Sequence, residues 1–236
     1  MNCLEIFDIF KKHNSAKYGE FRNIYSKIFS ELSQKKEKII VLEIGQRRGE
    51  TFKCLLDIFP NSIIYGLDIG IDEYKNGDVK NMLENYGGDR AKLYVGDQKN
   101  IELLNKIGTD VMNNYNGFDL IIDDGGHKME QQQISLKTLS NYMKPYGKYI
   151  IEDIETSYYS SFGGGEIGKK NTTIDLLKNL IDVINRDFTR GYYKHLNRPR
   201  RDVVKYSKFI NDDKIFSLEI FPNCAILNFG YYHLYK

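Results

Sequence analysis

Two runs in this 236-residue chain gather the side chains that could do chemistry: IIDDGGHKMEQQ at 121–132 and YIIEDIETSYYSSFGGG at 149–165. Each begins in an apolar stretch that reads as a strand and turns acidic where that strand must end. If the two strands lie side by side, Asp123, Asp124 and His127 come to rest beside Glu152 and Asp153. Carboxylates crowded together repel one another and draw protons unless a cation neutralises them. A donor set of oxygens suits a hard divalent ion, and in a cytoplasm that points to Mg2+. The competing reading makes Asp124 and Asp153 caps for the segments that follow them, a common use of Asp. Each alone fits a cap; the cluster favours the metal.

A second group surrounds VLEIGQRRGET at 41–51. Glu43, Gly45 and Gly49 stand between an apolar run and the start of helical spacing. Glycine there lets a ligand approach the backbone, and the N–H groups of a helix start favour polar or anionic groups. Asp68 closes the next apolar run, where it could accept from ribose hydroxyls. Asp97 and Gln98 follow Gly96 at a third, where an adenine amino group would lie. Dinucleotide folds use G-x-G-x-x-G, whereas Arg47 fills the second glycine position here. E-x-G-x-x-x-G in an acid-lined site fits S-adenosylmethionine, which carries a sulfonium and an ammonium, better than a pyrophosphate. An NAD-dependent enzyme is the distant alternative.

The elements that would position these groups are legible. Residues 18–33 place Phe21, Ile24, Tyr25, Ile28, Phe29 and Leu32 at helical spacing. IIVLEI at 39–44 is nearly all apolar, as strands covered on both faces are. Phe52, Leu55, Leu56 and Phe59 predict a helix, followed by a strand at 63–67, a helix near 78–86 and a strand at 92–96. After a further helix come strands at 118–124 and 147–153, flanking a helix at 130–143. This alternation predicts a doubly wound, Rossmann-like α/β sheet of parallel strands with helices on both faces. IFSLEI and CAILNF, joined at Phe221, Pro222 and Asn223, predict a terminal hairpin that adds an antiparallel strand. One domain is expected. Its parts are a helical cap (1–36), a cofactor-binding core (37–153), an insert with a helix at 172–188 and room for a lid (154–213), and the hairpin (214–236).

Composition excludes several classes. A net charge of +2 gives no reason to expect nucleic acid or a membrane surface. Three cysteines, odd in number and widely spaced, form neither a disulfide framework nor a zinc pattern, which predicts a reducing cytoplasm. Glu5 and Asp8 interrupt the apolar N-terminus, unlike a signal peptide. No run reaches the ~18 apolar residues of a membrane span.

DDGGH followed by EDIETSYYSSFGGG resembles the DDGSH and ED-x-x-TSYW-type motifs of the mycinamicin-type sugar O-methyltransferases, a group that includes cephalosporin hydroxylase-like proteins. HNSAKYGEFRNIYSKIF resembles that family's opening segment, and IFSLEIFPNCAILNF its closing strands. The likeness covers about residues 13–165 and 214–230. It implies a class I methyltransferase fold, S-adenosylmethionine, Mg2+ and a sugar or sugar-linked small molecule as acceptor; a homo-oligomer stays open, because the family's oligomer architecture does not carry over. Carried over by residue, it makes Asp124, Glu152 and Asp153 the metal ligands and His127 the general base. Asp123 would face the methionine ammonium, Tyr18 would be a further cofactor contact and Tyr158 an acceptor contact. Gly126 and Tyr159 depart from the usual serine and tryptophan. The auxiliary N-terminal domain of larger members has no counterpart in these residues.

The chemistry so implied is O-methylation. An alcohol is a poor nucleophile until a divalent ion lowers its pKa and a base accepts its proton. An imidazole is suited to that near neutral pH. His13, His195 and His233 lack acidic company and read as surface or packing residues. Phe162 to Gly165 could be a hinged flap or an ordinary loop. HLNRPRR at 195–201, with Arg200 as the candidate contact, could hold a phosphate on the acceptor or be a solvated face. A phosphoramidate, another polyol, or a scaffold role without catalysis remain as alternatives.

Overall fold

A computed structural model describes residues 1–19, 21–70, 79–195 and 214–230, with side chains of 186–195 set aside. Seven strands form one sheet: β1 (Ile39–Ile44), β2 (Ser62–Asp68), β3 (Ala91–Val95), β4 (Phe118–Asp123), β5 (Met143–Glu152), β6 (Ile215–Phe221) and β7 (Cys224–Phe229). Their order is β3-β2-β1-β4-β5-β7-β6. The first five are parallel, and β7 runs antiparallel between β5 and β6. The chain reverses direction across the sheet after β3, so the crevice beyond β1 and β4 is the switch point where such folds bind ligands.

Alternation along the strands decides which helices lie on which face. Ile40, Leu42 and Ile44 of β1 pack with α5 (Ile101–Tyr115), α6 (Met129–Leu139) and α7 (Thr173–His195). Ile39 and Val41 face the other way, onto α1 (Cys3–Lys12), α2 (Arg22–Ser33), α3 (Glu50–Ile58) and α4 (Val79–Gly87). The expected strands and hairpin are therefore present, with ends shifted by a residue or a few. Pro222 and Asn223 make the hairpin turn, and Asn223 takes the left-handed conformation (φ +64°).

Two elements differ from expectation. Residues 3–12, read only as unlike a leader, form α1, held by a capping box between Asn2 and Glu5 and buried through Ile6 and Phe10. The helix expected at 172–188 extends to His195, and Leu177, Leu180 and Val183 join the core beside β6. Of the expected insert at 154–213, the described residues thus form two short 3-10 turns, Ile154–Tyr158 and Ser160–Phe162, a loop and this packed helix, while 196–213 lies outside the described residues. Among the described residues, no helix is long and apolar enough to cross a membrane.

The cap is fastened to α3 at Asp57. Lys12 Nζ and His13 Nε2 each lie 2.9 Å from Asp57 Oδ2, and the Tyr86 hydroxyl donates to Oδ1 at 2.8 Å. Burial pushes this carboxyl up, but the hydrogen bonds from His13, Lys12 and Tyr86 outweigh it and hold its pKa at about 2. A depressed carboxylate contributes stability above its unfolded pKa and loses it as pH falls through the folded one. The melting-temperature gap between wild type and Asp57→Asn should therefore be full at pH 5 and shrink progressively between about pH 4 and 2. Melting curves across that range, showing a constant gap, would refute the assignment.

Candidate functional site

The C-terminal ends of β1 to β5 open into one cleft of about 700 Å³, a size suited to a small molecule. Its wall includes Gly45, Arg47, Asp68, Ile69, Gly96, Asp97 and Gln98, then Asp124 to His127, Glu152 and Asp153. Ala16, Lys17 and Phe21 of the N-terminal segment complete it.

The nucleoside half is built from backbone. Gly45 has φ +85°, and a Cβ there would lie 2.1 Å from the Asp124 carbonyl oxygen. The loop after β4, as much as any ligand, therefore demands this glycine. Arg47, at φ +49°, donates its N–H to Asp68 Oδ2 at 3.0 Å, and Gly70 donates to Oδ1 at 2.8 Å. Both Asp68 oxygens are thereby oriented. Asp97 accepts from the Lys99 N–H at 2.9 Å. Gln98 is buried and bridges: Nε2 donates to Asp123 Oδ1 at 3.0 Å, and Oε1 accepts from the Gly126 N–H at 2.8 Å.

Asp123 is not where the sequence reading put it. It is 1% exposed and outside the cleft wall, accepting from Gln98, from Ser135 Oγ at 2.5 Å and from the Tyr149 hydroxyl at 3.2 Å. Strand alternation explains the correction: Asp123 shares the Ile121 face, toward α6, and Asp124 is turned the opposite way. Burial pushes the Asp123 carboxyl up, and its hydrogen bonds oppose this. Through Gln98 it is linked to the Gly126 N–H in the turn after β4. Glu43 also lies outside the cleft wall, 2% exposed, with Oε2 buried and without a partner among the described residues. Burial raises its carboxyl well above the carboxylate range; Lys17 opposes that, and Asp124, Glu152 and Asp68 add to it.

The acidic half contains a residue that sequence reasoning missed. Lys17 Nζ is 2.5 Å from both Asp124 Oδ2 and Glu152 Oε1, with its side chain 1% exposed. Burial alone would lower its pKa, but the charges of Glu152 and Asp124 and their hydrogen bonds hold it above the ordinary lysine value. The Tyr25 hydroxyl donates to Glu152 Oε1 at 2.5 Å. Glu152 is 2% exposed; burial pushes its carboxyl up to about 7, Lys17 opposing and Asp124 adding. A lysine ahead of an amphipathic helix ordinarily reads as exposed, so the sequence carried no sign of this role beyond its place in the HNSAKYGEF segment.

The ligand atoms that converge are those of Asp124, His127 and Asp153, all within 4.8 Å of one another. His127 Nε2 lies 3.3 Å from Asp153 Oδ2 and 3.9 Å from Asp124 Oδ1, while its Nδ1 is buried without a partner among the described residues. His127 and Asp153 both adopt left-handed backbone (φ +56° and +53°), which is costly for non-glycine residues and frequent at functional sites. Thr156 Oγ1 lies within hydrogen-bond reach of both their carbonyls, at 3.0 and 2.6 Å. Asn223 of the hairpin turn donates to Asp153 Oδ1 at 3.2 Å. Glu152, the third expected ligand, is outside this trio because Lys17 and Tyr25 engage its carboxylate. At Gly126 a Cβ would meet Gln131 Oε1 at 2.2 Å, so Gln131 fills the space that the more usual serine would take.

The other expected contacts are scattered. Tyr18 is 40% exposed and outside the cleft wall, where its neighbours Lys17 and Ala16 stand instead. Tyr158 lines a separate depression with Ser160, Gly165, Glu166 and Ile167. The glycine run folds back on the preceding turn: Gly164 and Gly165 donate to the Tyr159 and Ser157 carbonyls, each at 3.0 Å. Arg200 and the basic run fall outside the described residues, as does His233.

No family model matches the chain. It is 28% identical over 230 residues to mycinamicin VI 2''-O-methyltransferase of Micromonospora griseorubida, covering 94% of this chain and 48% of the relative. It is 31% identical over 184 residues to demethylmacrocin O-methyltransferase of Streptomyces fradiae, covering 74% and 40%. Among solved structures it is similar to the MycE methyltransferase of the mycinamycin biosynthetic pathway in complex with Mg, SAH and mycinamycin VI. There the TM-score is 0.73 at 26% identity, over 98% of this chain and 56% of that one. The chain spans about half the length of the curated relatives it matches.

Proposed function

We propose that this chain, homologous to macrolide sugar O-methyltransferases and folded as a class I methyltransferase, methylates a sugar hydroxyl on a small molecule, using S-adenosylmethionine and a divalent cation. The observation that carries the reading is the convergence of Asp124, His127 and Asp153 at the edge of a cofactor-sized cleft. In the reaction an O–CH3 bond forms as the S–CH3 bond breaks, the electron pair stays on sulfur, and the hydroxyl proton passes to His127 Nε2.

The residues suit the cation. Asp124 Oδ1 and Asp153 Oδ2 turn toward the same point as His127 Nε2, and Mg2+ is commonly held by one or two carboxylates with water and substrate oxygens completing the shell. Asp124 and Asp153 would hold it, with Glu152 joining if its contact to Lys17 yields. When bound, the ion supplies positive charge that lowers the pKa of a coordinated hydroxyl.

The chain's own contribution is alignment and proton removal. Asp68 and Asp97 offer carboxylate oxygens to the ribose hydroxyls and adenine amine. Buried Gln98 and Asp123 stiffen the turn that carries Gly125 and Gly126 past the cofactor. His127, pinned through its carbonyl by Thr156, accepts the proton on the acceptor side. Calorimetric titration tests the cofactor reading: S-adenosylhomocysteine should bind and NAD should give no heat. The reverse pattern would sink it.

A further inference from the structure

Lys17 is a buried charge at the site that the chemistry above leaves without a task. A 3-10 turn at Ala16–Tyr18 carries it in, and Ser15 before that turn is tied to Thr51 of α3 by a 2.9 Å hydrogen bond. Its ammonium lies 5.4 Å from the centre of the Tyr25 ring, and Tyr25 donates to the Glu152 oxygen that Lys17 also pairs with. Burying an ammonium costs much desolvation, and two carboxylates are needed to offset it. Asp124 is shared between two functions: Oδ2 meets Lys17 while Oδ1 looks toward His127. A divalent ion between Asp124 and Asp153 would therefore stand close to a positive charge, in surroundings where Coulomb terms are poorly screened.

We propose that Lys17 is a built-in counter-ion that stands in for the divalent cation, neutralising Asp124 and Glu152 in the metal-free protein and leaving them when the cation binds. The proposal rests on the divalent-cation reading given above. Its departure frees Glu152 to serve as a ligand. The same turn sets Ala16 in the cleft wall, beside Phe21 at the start of α2, so cation loading reshapes that wall as well. Without the lysine, the metal-free cluster would hold carboxylates with no cation and become less stable. With it, the metal must compete for its place and stays exchangeable.

Calorimetry with Mg2+ alone, without cofactor or acceptor, tests this on the whole chain. Lys17→Met should bind Mg2+ more tightly, by about tenfold or more, and its melting temperature should fall without metal and rise further with it than that of the wild type. Lys17→Arg keeps the charge and should retain the weaker binding. Unchanged or weakened Mg2+ affinity in folded Lys17→Met overturns the proposal. Should that variant fail to fold, amine acylation of the wild type, read by mass spectrometry, decides the matter. Labelling of Lys17 should be low in chelator and rise with saturating Mg2+; equal protection in both overturns it. If neither chain binds Mg2+, the cation reading itself falls, whereas binding indifferent to Lys17 removes this proposal alone.

Discussion

Asp153→Ala should abolish divalent-cation dependence together with methyl transfer, while S-adenosylhomocysteine still binds. Asp153 Oδ2 is one of the three ligand atoms that converge, and its other oxygen is held by Asn223. Removing it takes away one of the two carboxylates that converge on the ion's place, and the loss should be at least the ~10²–10³-fold that a single electrostatic stabiliser supplies. Cofactor affinity should survive because Asp68 and Asp97 lie at or just past the ends of other strands, β2 and β3, and are oriented by backbone N–H groups of their own. The measurement is a rate in Mg2+ and in chelator for both proteins. A wild type that runs at full speed in chelator would return Asp124 and Asp153 to the role of caps.

His127→Ala should separate base from metal. The rate should fall by the ~10²–10⁴-fold that a general base typically contributes, with Mg2+ still required for what remains. His127 is placed for this by strain that its surroundings enforce: left-handed backbone, a carbonyl held by Thr156, and Nε2 directed at Asp153. An alanine keeps the two carboxylates, so Mg2+ should still be detected calorimetrically. If the variant instead loses Mg2+ binding altogether, His127 acts as a ligand, and another group must take the proton.

Much of this is legible in the sequence. Strand runs such as IIVLEI, helical spacing and the IFSLEI–CAILNF hairpin specify a doubly wound sheet, because hydrophobic period and turn residues are local properties. Asp68, Asp97, Asp124, His127 and Asp153 could be named because residues just past strand ends must meet at the switch point of such a sheet. What spacing does not report is the direction of a side chain at a strand's last residue, which depends on where the alternation stops. Asp123 and Asp124 are adjacent and acidic, yet one is sunk against Ser135 and Tyr149 and the other lines the cleft.

The partner of a buried charge is likewise a tertiary matter. By itself the sequence determined the sheet, the strand ends and the acidic character of the site, since these follow from near neighbours in the chain. Only the tertiary structure decided that Lys17, more than a hundred residues away from Asp124 and Glu152, lies between them. Crowded carboxylates on the face that α1 and α2 cover need a buried cation. Any of the chain's 34 Lys and Arg residues could have met that need as far as composition is concerned. Packing of the N-terminal turn against α3 is what selected this one.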